Sequence, residues 1–353
     1  MNKNIFNLLP STSHLYKACL HTHSTVSDGS FTPEEIKRRY QALGYSVVAF
    51  TDHEVLRRHD ELANDSFLPL AGLEYAFWSH RYDRHEPEPH DRVHLNLLAT
   101  RPDVVAQPWL DARQYVRYAR RKKGLPELDA TPGELAIARQ ELHLGEHPDK
   151  SRYFDAETVR AMVREAKAAG FLVALNHPRW SYLSLSDADA FEGLWAVEVY
   201  NYDSKQTTPL GENDDFYDAL LRGRKNPRLC SLATDDTHMS DHIGHGWVNI
   251  WADRLDQDSI IAALRAGHFH SSTGPEYHEA RLADSILTVK TSPCASVRVL
   301  DEKGRVEVQE GNAAPDTPRT EWTLVLARNP SGYVRLVAED GHGGKAWTNA
   351  IEI

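Results

Sequence analysis

Short apolar runs that end in a metal-ligand type of residue recur along this chain. Ala18-Cys19-Leu20 runs into His21-Thr22-His23, Val47-Val48-Ala49-Phe50 into Thr51-Asp52-His53, and Phe67 to Leu73 into Glu74. Phe171 to Leu175 runs into Asn176-His177-Pro178, Leu194 to Val197 into Glu198, and Leu229 to Ala233 into Thr234-Asp235-Asp236-Thr237-His238. Val93 to Leu98 instead carries His94 inside the run. Helical patterns lie between several of these strands. Thr32, Pro33 and Glu35 form an N-cap, a first-turn proline and a capping box, Gly44 is the stop, and a strand follows over 46–51. Asp155 to Ala169 repeats the scheme, with Val159, Met162, Val163 and Ala166 at helical spacing and Gly170 as the stop. Residues 213–224 and 256–266 read as two more helices. This strand-helix alternation predicts an α/β fold in which a β/α barrel gathers its chemistry at the C-terminal rim of its strands.

Two stretches depart from that pattern. Residues 99–152 are basic, polar and interrupted by Pro102, Pro108, Pro126, Pro132 and Pro148. They read as an insertion with helices near 110–122 and 132–142, expected to be a solvated surface pair rather than a substrate lid. His80, His85 and His90, set between prolines, read as a rim loop. After Gly274-Pro275 the runs Leu287-Thr288-Val289, Val297-Arg298-Val299, Trp322 to Leu326 and Tyr333 to Val337 alternate with turns such as Asp301-Glu302-Lys303-Gly304. The expected division is a barrel over 1–275, carrying the insertion, and a small all-β, sandwich-like domain over 276–353.

Composition bounds the function. The chain has 353 residues, 41% of them hydrophobic, enough for one large barrel and a small module. No run of about 20 apolar residues offers a membrane span. The opening MNKNIFNLLPSTSHLY lacks the apolar region of a signal peptide, so cytoplasm is the expected location. Three cysteines, Cys19, Cys230 and Cys294, form no metal pair or disulfide framework. A formal charge of −11 argues against holding duplex nucleic acid through its phosphates, which needs clustered Lys and Arg.

The chemistry points to metal. Two imidazoles one residue apart share a side of an extended strand and can grip one ion. Imidazole with carboxylate suits Zn, Mn or Fe. The recurrence of such tips on separate strands predicts a polynuclear centre. The segments LHTHSTVSDGS, AFTDHE, GLEY, VHLNLL, LNHP and ATDDTH follow one another as in the PHP (polymerase and histidinol phosphatase) superfamily. The chain resembles that family over roughly residues 15–275, and most of all its stand-alone metal-dependent phosphoesterases with an extra C-terminal domain.

The resemblance implies a distorted seven-stranded (β/α) barrel with two or three divalent ions (Mn, Zn or Fe). It implies His21, His23, Glu74 and Asp236 around one ion. Glu74 would bridge to a second held by His94 and His177, and Asp28, His53 and His238 would hold a third. Read from the residues alone, His53 is also a plausible tautomer-locked buried histidine, Asp28 a turn residue before Gly29, and His94 a core histidine. The family's Asp-x-His spacing selects Asp236, which leaves Asp235 and Asp52 as outer carboxylates able to orient a ligand imidazole. Arg179 is a candidate fork for a phosphate, with an ordinary surface arginine as its rival. Tyr200 and His270 are candidate substrate contacts, although His270 also fits a polar barrel-closing strand. His238 and Asp52 are candidates for protonating the leaving group. Glu198 reads equally as an outer-shell carboxylate or a helix-start anion.

The function expected is a metal-dependent phosphoesterase acting on a small phosphate ester or nucleotide through a metal-activated hydroxide. The alternatives are a carbamate or ester hydrolase on the same metals, and a non-catalytic metal-binding regulatory module. The partners expected are a phosphorylated small molecule, no membrane and no duplex nucleic acid, with a homo-oligomer left open.

Overall fold

A computed structural model of the chain describes residues 5–10, 14–78, 92–126, 130–141, 150, 152–222, 228–306, 308–310 and 318–353. The histidine-rich loop expected around His80, His85 and His90 lies outside the described residues. The main sheet takes up β2 (His14–Cys19), β3 (Tyr45–Phe50), β4 (Leu68–Trp78), β5 (Arg92–Ala99), β6 (Phe171–Leu175), β7 (Ala196–Asn201) and β8 (Cys230–Thr234) side by side in chain order; β1 (Ile5–Asn7) belongs elsewhere. Helix α1 (Pro33–Ala42) links β2 to β3, α4 (Ala156–Ala168) precedes β6, and the short α5 (Tyr202–Thr207) and α6 (Asp214–Arg222) join β7 to β8. Pairings β2–β3, β3–β4, β6–β7 and β7–β8 are parallel. The outer strands approach each other again: Thr22, just past β2, bridges Thr237, just past β8, and the His23 N–H donates to the Thr237 carbonyl at 3.0 Å.

Strand β5 breaks the parallel pattern. It pairs antiparallel with both β4 and β6, so its beginning, rather than its end, lies at the rim where the other strands finish. That is why His94 falls inside an apolar run instead of after one.

The helices follow the expected signals. Thr32 accepts from the Glu35 N–H at 3.3 Å while the Glu35 side chain accepts from the Thr32 N–H, and α1 ends before Gly44, whose φ of 79° a side chain would disfavour. Helix α4 starts at the cap Asp155 and turns Val159, Met162, Val163 and Ala166 onto the sheet. Each larger apolar side chain buried there contributes roughly 1.5–3 kcal/mol. Helix α7 (Gln257–Ala266) starts from the cap Asp256 and ends at Gly267 in the left-handed conformation.

Helices α2 (Ala112–Lys122) and α3 (Pro132–Glu141) form in the insertion close to the expected positions, but they are not merely a solvated pair. Leu110, Ala112, Val116 and Ala138 make a core of their own. At the end of the segment a fully buried Arg152 pairs with Glu54, its guanidinium 4.0 Å from the Tyr75 ring. Gln107 adds two hydrogen bonds to the chain at Glu54 and Leu56, both 2.9 Å.

The C-terminal strands form two layers. Beside β2, β9 (Trp247–Ala252) and β10 (Phe269–Ser272) extend the main sheet. One layer of the C-terminal region is a separate antiparallel sheet in which β1, β11 (Tyr277–Ala283), β12 (Ile286–Cys294), β16 (Arg319–Leu326) and β15 (Val308–Glu310) lie in that order. The other holds β13 (Ser296–Asp301), β14 (Gly304–Val306), β17 (Tyr333–Glu339) and β18 (Lys345–Thr348), with β19 (Ile351–Glu352) on β17. Leu287, Val289, Trp322 and Leu324 of the first pack with Val297, Val299, Leu336 and Ala338 of the second. The sandwich is therefore present, yet its second layer continues the main sheet, because β18 pairs with β10. Among the described residues no helix is long and apolar enough to cross a membrane.

Candidate metal centre

The rim is assembled by backbone ties between strand ends. The Thr51 N–H donates to Thr22, that of Glu54 to Glu74, that of Asn176 to His94 and that of Asp203 to Asp235, at 2.9, 3.0, 3.1 and 3.3 Å. These ties carry side chains from distant stretches to one place. Glu74 stands in the middle, with imidazole nitrogens of His53 and His94 at 3.0 Å, His21 and His23 at 3.3 Å and His177 at 3.5 Å from its oxygens. Asp236 Oδ1 lies 3.2 Å from His21 Nε2 and 3.1 Å from His23 Nε2. Asp28 Oδ1 lies 3.7 Å from His53 Nε2 and 3.4 Å from His238 Nε2.

Three groupings of ligand atoms result, each within 4.8 Å: His21, His23 and Asp236; Glu74, His94 and His177; and His23, Asp28, His53 and His238. A fourth, Asp203, His238 and His242, lies at the edge. The nine side chains expected to be ligands are thus brought together. Two of them, His177 and Asp236, have positive φ of 26° and 53°, as does Glu54 next to His53 at 66°. Non-glycine residues in such conformations cost on the order of 1–3 kcal/mol each and collect at functional sites.

The donor set fits divalent cations. His21 Nδ1 is committed to Glu198 at 2.7 Å, so its Nε2 presents a lone pair, 3.1 Å from His23 Nε2 and against two carboxylates. Lone pairs facing one another in a buried space repel unless a cation lies between them. Asp236 Oδ1 and His53 Nδ1 are buried without a hydrogen-bond partner, as expected of atoms reserved for coordination.

The electrostatics are of the same kind. Burial works against charge on His23, yet the adjacent Asp236 and Glu74 carboxylates push it up to about 10. Burial holds His94 down at about 4 despite Glu74. Burial would raise Glu74 and Asp236, but the surrounding imidazoles hold both well below the usual carboxylate range. The protons that these imidazoles hold beside anionic carboxylates are what a bound cation displaces.

The other expected site residues are placed differently. Glu198 lies behind the imidazoles: besides His21 Nδ1 it accepts from the His177 N–H at 2.8 Å, Thr234 Oγ1 at 2.7 Å and Asn201 Nδ2 at 2.8 Å. Asn176, quoted in the sequence only as part of a motif, donates from Nδ2 to Glu74 at 2.6 Å. Asp52 orients no imidazole; it accepts from the N–H and hydroxyl of both Ser24 and Ser27, pinning the turn that carries Asp28 and leaving it poorly placed to protonate a leaving group. Asp235 accepts from Tyr40 and from the N–H groups of Gly244, His245 and Gly246 at 2.7–2.9 Å, fixing the loop after β8 rather than an imidazole.

Arg179 points out of the site, paired bidentately with Asp215 at the surface, where a phosphate over the ions would not meet it. Tyr200 is buried against Trp347 and Lys205, outside the cavity lining. His270 faces the other layer, where its Nε2 accepts from Asn249 at 3.0 Å and from the Tyr277 N–H at 3.3 Å. The cavity over the centre, about 520 Å³, is lined instead by residues the sequence did not single out: Arg92, Tyr118, Trp180, Asp203, Ser204 and Met239.

An α/β sheet with a polyhistidine-carboxylate centre at one rim is thus the class this chain presents. No family model matches the chain. A curated 5'-3' exoribonuclease of Haemophilus influenzae is 24% identical over 283 residues, which are 69% of this chain and 96% of that protein. Among solved structures, a two-domain Bacteroides vulgatus protein containing a predicted PHP-like metal-dependent phosphoesterase is 13% identical, with 97% of each chain covered and a TM-score of 0.39. The lesion-specific endonuclease of Pyrococcus furiosus is also 13% identical, with 72% of this chain and 56% of that chain covered and a TM-score of 0.39.

Proposed function

We propose that this chain is a metal-dependent phosphoesterase of the PHP type, in which β2 to β8 make the seven-stranded barrel and nine rim side chains hold two or three divalent ions. The observation that carries the reading is Glu74: a buried carboxylate with imidazole nitrogens of His21, His23, His53, His94 and His177 within 3.5 Å. His21, His23, Asp236 and Glu74 would hold one ion, Glu74, His94 and His177 a second, and Asp28, His53 and His238 a third.

Divalent ions so placed supply an activated water near neutral pH and offset the charge that grows on phosphoryl oxygens during displacement. The protein's own contribution is orientation. Glu198 keeps His21 in the tautomer that presents Nε2, Asn176 turns Glu74 inward, and Asp52 stiffens the turn bearing Asp28. A buried floor under an open cavity restricts water at the reacting group while admitting a small ester.

Reconstitution with Mn, Zn or Fe and a comparison of p-nitrophenyl phosphate, bis-p-nitrophenyl phosphate and p-nitrophenyl acetate tests this. Turnover of a phosphate ester is expected, reduced to background in Glu74→Gln together with bound metal per chain. Turnover of the acetate alone would turn the reading toward a carboxylic ester hydrolase. Full metal content and full turnover in Glu74→Gln would overturn it.

A further inference from the structure

The walls of the cavity differ in chemistry. On the side of β3, β5 and the insertion stand two large aromatic rings and a guanidinium. The Tyr118 ring, from α2, stacks on His53 with centroids 4.5 Å apart and planes 20° from parallel. The Trp180 ring lies 4.8 Å from His177 and 5.5 Å from His94. The Arg92 guanidinium, at the start of β5, is 5.1 Å from the Trp180 centroid. The lining also carries the carboxylates of Asp28, beside His53, and of Asp203, together with Ser204 and Met239.

A phosphoryl group drawn to the floor leaves its alcohol portion projecting toward one wall or the other. Beside Asp203, which is not among the proposed ligands, an anionic ester meets a like charge. The aromatic wall offers flat faces and edges for stacking, and a cation beside the ester oxygens.

We propose that the Tyr118–Trp180–Arg92 wall makes this site selective for phosphate esters whose alcohol is a planar ring. The proposal rests on the phosphoesterase reading, and it gives the insertion a role in specificity through Tyr118. Stacking against one ring changes affinity by up to about tenfold.

Non-hydrolysable phosphonates test it on the full-length, metal-loaded chain, with binding read by calorimetry. Phenylphosphonate is expected to bind about tenfold more tightly than propylphosphonate. In Trp180→Ala and Tyr118→Ala that ratio should fall toward one, and Trp180→Phe and Tyr118→Phe should keep most of it. Equal affinities for the two phosphonates in the unmodified protein would overturn the aromatic selectivity and leave the phosphoesterase reading standing. Failure of both to bind, with inorganic phosphate also unbound, would overturn the two together.

Discussion

Glu198 shows how one residue outside the coordination sphere can govern the centre. Its carboxylate accepts from His21 Nδ1–H and from three further donors, so its loss would free the His21 ring and the backbone at His177 together. Glu198→Gln is expected to weaken metal affinity by roughly 10–100-fold, measured by competition with a chelator, with little change in secondary structure by circular dichroism. His270 carries a second residue-scale prediction. Burial, aided by His278, holds its pKa near 3, against 6.5 for a free imidazole. Its Nε2 already accepts two N–H groups, so a proton there would break both bonds. Between pH 6.5 and 3 the unfolded chain binds a proton that the folded one refuses, so this histidine makes stability fall as the pH is lowered through that window. The slope is at most on the order of 1.4 kcal/mol per pH unit. His270→Gln should flatten that part of the stability profile in denaturant titrations of metal-free protein; an unchanged slope would refute the assignment. The convergence of these side chains at one rim was legible in the sequence, because a strand end is where an apolar run stops and its last side chains must point somewhere. Arg179 was misleading for a related reason. Proximity to His177 in sequence places it on the rim, but it says nothing of the neighbouring Asp215, 36 residues away, that turns the guanidinium outward. Arg92, beside an unremarkable histidine run, gave no sign at all.

At the scale of elements, helices with caps and glycine stops were readable because those signals are local. The antiparallel sense of β5 was not, since its sequence is apolar in either direction and only the rim position of His94 betrays it. The role of the insertion was hidden likewise: a helix sequence rich in Arg and Lys reads as a solvated one, while the contacts that attach it come from Glu54, Tyr75 and His53, far away in the chain. The buried Arg152–Glu54 pair is the firmest of these. Burial raises the Glu54 carboxyl even with the guanidinium against it. Removing the cation strands a buried acid at a strained backbone position. Arg152→Met is therefore expected to cost about 3–5 kcal/mol in denaturant unfolding. The double variant Arg152→Met, Glu54→Gln should recover part of that loss, because no unpaired charge remains. If the single variant unfolds like the unmodified chain, the pair does not anchor the insertion.

Over the whole molecule, the change of pattern after Pro275 marks a change of architecture, and the strands beyond it are tied to the main sheet. Alternating burial along β12 and β13 makes the sandwich foreseeable from the sequence. Its attachment is not, because it depends on single side chains that reach across. Trp347 is fully buried in the core that also holds side chains of β4 to β7. Asn349 accepts from the Ser231 N–H at 2.9 Å and donates to the carbonyls of Gly267 and Phe269 at 3.0 Å, tying the chain's last turn to β8 and β10. Arg335, 1% exposed, reaches Asp218 of α6 at 2.6 Å. The N-terminal strand β1 is in turn held by β11, so each end of the chain depends on the other region. Removing residues 276–353 would leave β10 without its partner β18, uncover the apolar surface beneath Trp347 and detach β1. Such a piece is expected to lose cooperative thermal unfolding and, with it, retention of divalent metal, although every proposed ligand precedes residue 276. A truncated chain that melts in one sharp transition and still binds its metal would show that residues 1–275 fold alone, and that the later strands are an appendage.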